Sequence, residues 1–155
     1  MTFERLDALF VAPIISHLLV FTDAEKEIGV ATLYLEGKAL AFYYYAFYDL
    51  NYYTRNLGMF MMTSSAALFA ERGVRHLYLG TCYLHTALYK TQFAGAEFFN
   101  GFCWSDDLEE LKFIIRRDKK ELTRHLLETE EYREKFYKGD LGKITDASAF
   151  RVKVK

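Results

Sequence analysis

The chain has 155 residues, enough for one domain with a real core and too few for two comfortable ones. Apolar residues make up 52% of it and Tyr and Phe far outnumber Trp, which excludes disorder and predicts a dense core whose many Tyr hydroxyls need partners. The net charge of −1 excludes a global electrostatic case for nucleic acid, so such a partner needs a local patch.

In chain order, Phe3 to about Phe10 predicts a short helix stopped before Pro13. His17 to Thr22 reads as a strand, Asp23 to Glu27 as a charged turn, and Glu27 to Leu35 as a second strand. Glu36-Gly37-Lys38 then makes a hairpin turn into a third strand, Ala39 to Tyr48. Nearly every residue of that strand is aromatic or small, so both faces are covered and the strand is central.

The segment from Phe47 to Gly58 has the punctuation of a strand-to-helix turn, with Asp49 and Asn51 in the loop, then Arg55, then Gly58 in the first helical turn. A helix N-terminus presents unpaired N–H groups and a partial positive charge, which suits an anion. Arg55 adds a planar cationic fork, and Gly58 removes the side chain that would keep a phosphate from the backbone. This is chemistry for holding a phosphate-bearing donor, with Asn56 and Leu57 in the same turn.

A buried helix follows, about Leu57 to Arg72, with Gly73 as its stop. Val74 to Tyr83 reads as a strand, so strand, helix and strand imply a crossover and a locally parallel pair. His85 to Phe93 predicts a short helix and Ala96 to Trp104 a further strand. The tail is helical, with capping boxes at Asp106 with Glu109 and Asp118 with Glu121, ending near Tyr137 to Gly142. One domain over residues 1–155 results, with a core of about 13–104 and terminal helices of about 105–138.

No run reaches the roughly 20 apolar residues a bilayer requires, and no basic start precedes an apolar segment. A cytoplasmic protein without a membrane partner is the expectation. Cys82 and Cys103 lie far apart in strand-like contexts without metal-ligand spacing, so both read as reduced, mostly buried thiols, and no metal site is expected.

Antiparallel strands leading into a strand–helix–strand crossover, then a short helix and a strand, follow the order of the GNAT acyltransferase fold. The expected class is therefore α/β (α+β), with a mostly antiparallel mixed sheet whose central strand pair splays apart to admit the donor's arm. Phe47-Tyr48-Asp49, Tyr52, Arg55 and Leu57-Gly58 resemble the signature of the C-terminal domain of arginyl-tRNA–protein transferases and their leucyl/arginyl relatives. Leu77-Tyr78-Leu79-Gly80 and Tyr89-Lys90 with Phe93 fall in the same order, so the resemblance covers roughly the middle third of the chain. It implies a GNAT-like fold that moves an amino acid from charged tRNA to a protein N-terminus.

The chain departs from that family in showing nothing of its N-terminal domain and in a shorter segment between Gly80 and Tyr89. Phe60 stands where acetyl-CoA enzymes of the fold carry a small residue beside the pyrophosphate, which leans away from acetyl-CoA.

Asp49 can orient an attacking amine or act as a base, although a turn Asp bonding backbone N–H groups is the commoner case. Tyr89 can protonate a leaving group or bond the terminal adenosine of a tRNA donor, and Lys90 can pair with a phosphate or carboxylate; a packed Tyr and an exposed Lys are the ordinary readings. His85 and Gln92 share the short helix as positioning groups, though a lone His among aromatics is more often structural. Tyr43, Tyr45 and Tyr83 can line a substrate groove, with alternation turning Tyr44 away from Tyr43 and Tyr45. Cys82 lacks an identifiable activating base. Arg116-Arg117-Asp118-Lys119-Lys120 with Arg124 is the concentrated basic patch, either touching an RNA backbone or forming a charged helix junction.

The leading expectation is an acyl or aminoacyl transferase without a tightly bound cofactor, its donor an aminoacyl-tRNA or, alternatively, acetyl-CoA. The acceptor is a protein N-terminus or a small amine, and tRNA and a second copy of the chain are candidate partners. A non-catalytic GNAT-like binding module is the reading from another class.

Overall fold

In the computed structural model, which describes residues 2–119 and 124–148, the chain divides into two units, Met1–Gly80 and Thr81–Lys155. The class is mixed α/β, with a four-stranded mixed sheet in the first unit and a two-stranded one in the second.

The first unit begins with α1, Phe3–Phe10, whose N-cap Thr2 accepts the Arg5 N–H. Strands β1 (His17–Asp23), β2 (Lys26–Glu36) and β3 (Leu40–Tyr48) are antiparallel neighbours. Helix α2 (Leu57–Glu71) then returns the chain to β4 (His76–Tyr78), which pairs with β3 in parallel. The order β1-β2-β3-β4 makes β3 interior, as its aromatic content predicts.

Two expectations are corrected here. Gly80 takes φ +79° and turns the chain out of the extended run, so the strand read as Val74 to Tyr83 is only three residues long. The parallel pair also lies at the sheet's edge, because the segment expected to follow as another strand pairs with itself in the second unit.

One face of α2 buries Leu57, Met61, Ser65 and Phe69, four residues apart, with Met62 beside them. Each apolar side chain in that stripe contributes roughly 1.5–3 kcal/mol of burial. Ser65 joins the stripe because its hydroxyl donates to the Met61 carbonyl at 2.7 Å. Gly29 in β2 provides room for the helix, since a Cβ there would lie 2.7 Å from Met61 Sδ. Its cross-strand partner is Tyr48, so Gly29, Ala31 and Leu33 share the α2 side with Tyr48, Ala46 and Tyr43.

The register between β2 and β3 slips at Thr32/Leu33, where Leu33 faces Tyr43 and Thr32 faces Tyr45. Tyr44 is the extra residue of a bulge. The buried Thr32 hydroxyl fills the broken ladder, accepting from the Tyr45 N–H at 3.1 Å and donating to the Tyr45 carbonyl at 3.3 Å.

In the second unit, residues His85–Gln92 form 3-10 turns. The expected strand Ala96 to Trp104 is instead a hairpin of β5 (Phe98–Phe99) and β6 (Trp104–Ser105). The chain reverses at Asn100-Gly101, where Gly101 takes φ +104° and Asn100 Oδ1 accepts the N–H groups of Phe102 and Cys103.

Helix α3 (Leu108–Arg117) is capped by Asp107, whose carboxylate accepts the Glu109 and Glu110 N–H groups, one residue later than the capping box read at Asp106. Asp118 ends α3 instead of opening a helix, because its N–H still bonds the Ile114 carbonyl; Glu121 lies outside the described residues. Helices α4 (Glu130–Tyr137) and α5 (Leu141–Ala147) follow, the second opened by Asp140 accepting the Lys143 N–H. Phe98, Phe102, Leu111, Ile115, Leu126, Tyr132 and Ile144 form this unit's core. No helix among the described residues is long and apolar enough to cross a membrane.

Candidate functional site

Asp49 closes β3 and opens a 3-10 turn, Leu50–Arg55. One carboxylate oxygen accepts the Asn51 N–H at 2.9 Å and the other accepts from Lys26 Nζ at 2.6 Å. The Lys26 ammonium, followed by the Asn51 N–H, holds the Asp49 carboxyl below its ordinary value. A carboxylate held this way is a weaker base, so Asp49 serves the turn, and its geometry counts against proton abstraction. Tyr52 completes the arrangement: its hydroxyl donates to Asp23 at 2.8 Å, and its ring lies 5.7 Å from Lys26 Nζ and 5.5 Å from Arg55 Cζ.

Asn56 follows in the left-handed region at φ 55°, ψ 37°, and its side chain makes no cap bond to α2. The first N–H to find a carbonyl within the helix is that of Phe60, bonded to Asn56. The first turn of α2 therefore presents its N–H groups without a side-chain cap. Arg55 is exposed beside it and enters no ion pair among the described residues.

Leu57 is a core residue, so only its backbone can serve a ligand. Gly58 packs against the end of β3, where a Cβ would meet Tyr48 Cε1 at 3.0 Å. Helix-to-strand packing alone thus explains the glycine. A larger residue there disturbs Tyr48 as well as any bound group, so Arg55 is the cleaner probe of this turn.

The bulge at Tyr44 corrects the groove reading. Tyr43 is buried on the α2 side, whereas Tyr45 lies on the other face, opposite Thr32. The extra residue brings Tyr44 and Tyr45 together, with ring centroids 4.5 Å apart edge to face, where simple alternation would separate them. Phe42 and Tyr78 continue this aromatic row on one side and Phe47 on the other.

The remaining sequence candidates belong to the second unit. A three-residue period puts Tyr89 and Gln92 on one row of the 3-10 segment and His85 on the row of Leu88, which packs on the core. Tyr89, His85 and Gln92 are exposed. Lys90 Nζ donates to the Thr81 carbonyl at 3.1 Å. Burial pulls its pKa below the ordinary lysine value, opposed by the nearby Cys82. Tyr83 donates its hydroxyl to the Phe99 carbonyl.

Both cysteines are free, and Cys82 is buried in irregular chain outside any strand. Burial pushes its thiol up, with Lys90 opposing only in part. A thiol without thiolate character is a poor nucleophile. We therefore expect Cys82 in the native protein to react with iodoacetamide at pH 7 at least about tenfold more slowly than in urea. Equal rates would show that burial does not suppress the thiol and would reopen Cys82 as a candidate nucleophile.

A polar centre that the sequence reading missed sits in the second unit's core. Glu110 is 2% exposed. One of its oxygens accepts from Asn100 Nδ2 at 2.9 Å, Tyr137 at 3.0 Å and Tyr132, and the other from Ser105 at 2.6 Å. Glu at the fourth position of an acidic helix start reads as solvated, so only the convergence of distant donors reveals its burial. Desolvation, reinforced by Glu110, pushes both tyrosine hydroxyls well above their ordinary pKa.

A cavity of about 470 Å³ opens beside this centre, within the second unit. Tyr83, Phe99, Ile114 and Leu126 provide its apolar lining, and Arg117 and Arg124 of the sequence's basic patch reach it. Lys120 of that patch lies outside the described residues. Among the described residues no group of three or more His, Cys, Asp or Glu side chains could hold a metal ion. Comparison of the chain with protein-family models, curated proteins and solved structures gave no match.

Proposed function

We propose that the start of α2 binds the phosphate-bearing end of an activated donor, and that the chain is an acyl or aminoacyl transferase of the GNAT-like type its turn resembles. The observation that carries this reading is the first turn of α2, which has no side-chain cap, with an exposed Arg55 next to it that enters no ion pair among the described residues. A second feature supports it: β3 and β4 pair only from Leu40/His76 to Phe42/Tyr78, while β3 runs on to Tyr48 without β4 as a partner. Beyond Phe42, toward the turn, β4 therefore does not cover the edge of β3.

In the reaction, an acceptor amine attacks the donor's carbonyl. The new amide C–N bond forms, the ester C–O bond breaks, and the amine's proton leaves with the ribose hydroxyl; in a thioester donor the C–S bond breaks and the thiol takes the proton. With Asp49 engaged by Lys26 and Asn51, catalysis rests on positioning and on backbone donors toward the developing oxyanion. The same engagement of Asp49 favours, as second reading, a module that binds the donor without turning it over.

Titration calorimetry with a charged-tRNA analogue and with acetyl-CoA tests the site. Arg55→Ala is expected to lose a charge-assisted contact worth about 1.5–3 kcal/mol, roughly a ten- to hundred-fold weaker affinity. Arg55→Lys should recover only part, because an ammonium lacks the bidentate fork. Unchanged affinity in Arg55→Ala would reduce the turn to a helix start.

A further inference from the structure

We infer that the cavity of the second unit is a binding site for a small anion carried on a flat apolar body, its charge a carboxylate or a phosphate monoester. The apolar lining is aromatic on one part, Tyr83 and Phe99, and aliphatic on another, Ile114 and Leu126. Tyr83 is tied to the Phe99 carbonyl, and Asn100 holds the adjoining loop through the Phe102 and Cys103 N–H groups. Its own amide is fixed by Glu110 and Tyr137. This part of the lining is therefore formed before any ligand arrives, which lowers the ordering cost of binding. A volume of about 470 Å³ lies within the range of small-molecule sites.

The charged lining decides the class of ligand. Arg117 is recessed, its side chain 19% exposed, and it bonds Asp118 at 3.2 Å and the Arg124 carbonyl at 2.6 Å. Two of its five N–H donors are thus used to fix the fork, and the other three have no hydrogen-bond partner among the described residues. Asp118 offsets one of the two guanidinium charges. The Arg124 guanidinium enters no ion pair among the described residues, so the described lining sets two guanidinium charges against the one Asp118 carboxylate. His125 accepts the Leu127 N–H on Nδ1, which places its ring proton on Nε2 as a further donor.

A cation would meet repulsion here, and a purely apolar guest would desolvate the guanidinium without pairing it. A bare phosphate would leave the aromatic lining unused. The recess of Arg117 suits a small anion entering the cavity better than an RNA backbone lying across the surface.

The test is a titration of the full-length ¹⁵N-labelled chain with adenosine 5′-monophosphate, 2-naphthoate, adenosine and inorganic phosphate, repeated on Arg124→Ala. Arg124 is the variant of choice because its side chain is exposed, and the amide spectrum reports directly whether the fold is kept. The expected result is saturable shifts at the Gly101, Asp118 and Leu126 amides with at least one of the two ring-bearing anions. Adenosine and inorganic phosphate should each bind at least about tenfold more weakly, and Arg124→Ala should weaken the anion by about tenfold or more. A response to the nucleotide alone assigns the site to phosphate monoesters, and a response to naphthoate alone assigns it to carboxylates. Absence of saturable shifts at these amides with both anions, phosphate binding as tightly as the nucleotide, or an affinity untouched by Arg124→Ala would each overturn the proposal.

Discussion

Replacing Glu110 with Ala is expected to destabilise the second unit by about 3–5 kcal/mol, a large fraction of the roughly 5–15 kcal/mol that holds a domain together. The carboxyl is the common acceptor for Asn100, Ser105, Tyr132 and Tyr137, and these four come from the β5–β6 hairpin and α4. Its removal strands buried donors, each costing about 1–3 kcal/mol less whatever the two tyrosines recover by bonding each other. Glu110→Gln separates shape from charge. Its amide oxygen can keep the three donors on one side, and Ser105 can rotate to accept from the new NH₂, so about 1–2 kcal/mol is expected.

Alkaline pH should expose the same centre. Tyr132 and Tyr137 are pushed up in the folded chain, so the folded state keeps phenolic protons that the unfolded state releases near pH 10. Their contribution is complete below that pH and is lost as pH rises above it. Tyr132→Phe should flatten that alkaline loss. Urea melts of the three variants followed by tyrosine fluorescence measure these effects. A Glu110→Ala unfolding free energy within about 0.5 kcal/mol of wild type would show that the donors find water instead.

Gly29 carries the second large effect. An Ala there keeps the backbone conformation but places its methyl 2.7 Å from Met61 Sδ, 3.0 Å from Met61 Cε and 3.3 Å from the Phe47 carbonyl. Met61 is flexible yet fully buried, so its end has no solvent to move into. A cost of about 1–3 kcal/mol is expected for Gly29→Ala and more for Gly29→Val. Met61→Ala alone leaves a cavity under α2 and costs about 2–5 kcal/mol. In the double variant the new methyl occupies part of the vacated space, so the pair should cost at least about 0.5 kcal/mol less than the sum of the singles. Hydrogen exchange of β2 and α2 amides across the four proteins measures the coupling. Strict additivity would mean that α2 shifts as a body and that Gly29 does not set its distance from the sheet.

Local patterning determined α1, the first three strands, the interior place of β3 and the extent of α2. These follow from apolar periodicity, a capping Thr, a turn glycine and an aromatic strand, all of which act over a few residues. The Asp49 turn was equally legible, because an Asx side chain finds its N–H partner two residues on. The hairpin at Asn100-Gly101 was written in the sequence too, by an Asn whose side chain bonds the N–H groups that follow and a Gly that takes positive φ, but the apolar run around it reads as one strand.

Tertiary structure alone decided the rest. A bulge is invisible until the neighbouring strand fixes the register, so only pairing with β2 could set Tyr43 apart from Tyr45 and bring Tyr44 beside Tyr45. Gly58 reads as a phosphate cradle in one dimension and as a contact with Tyr48 in three. Glu110 looks like one more acidic residue at a helix start; donors as far along the chain as Tyr137 make it the polar centre of a core. Residue type limits what chemistry is available within a segment, but burial and partnership across tens of residues are set only when the chain folds back on itself.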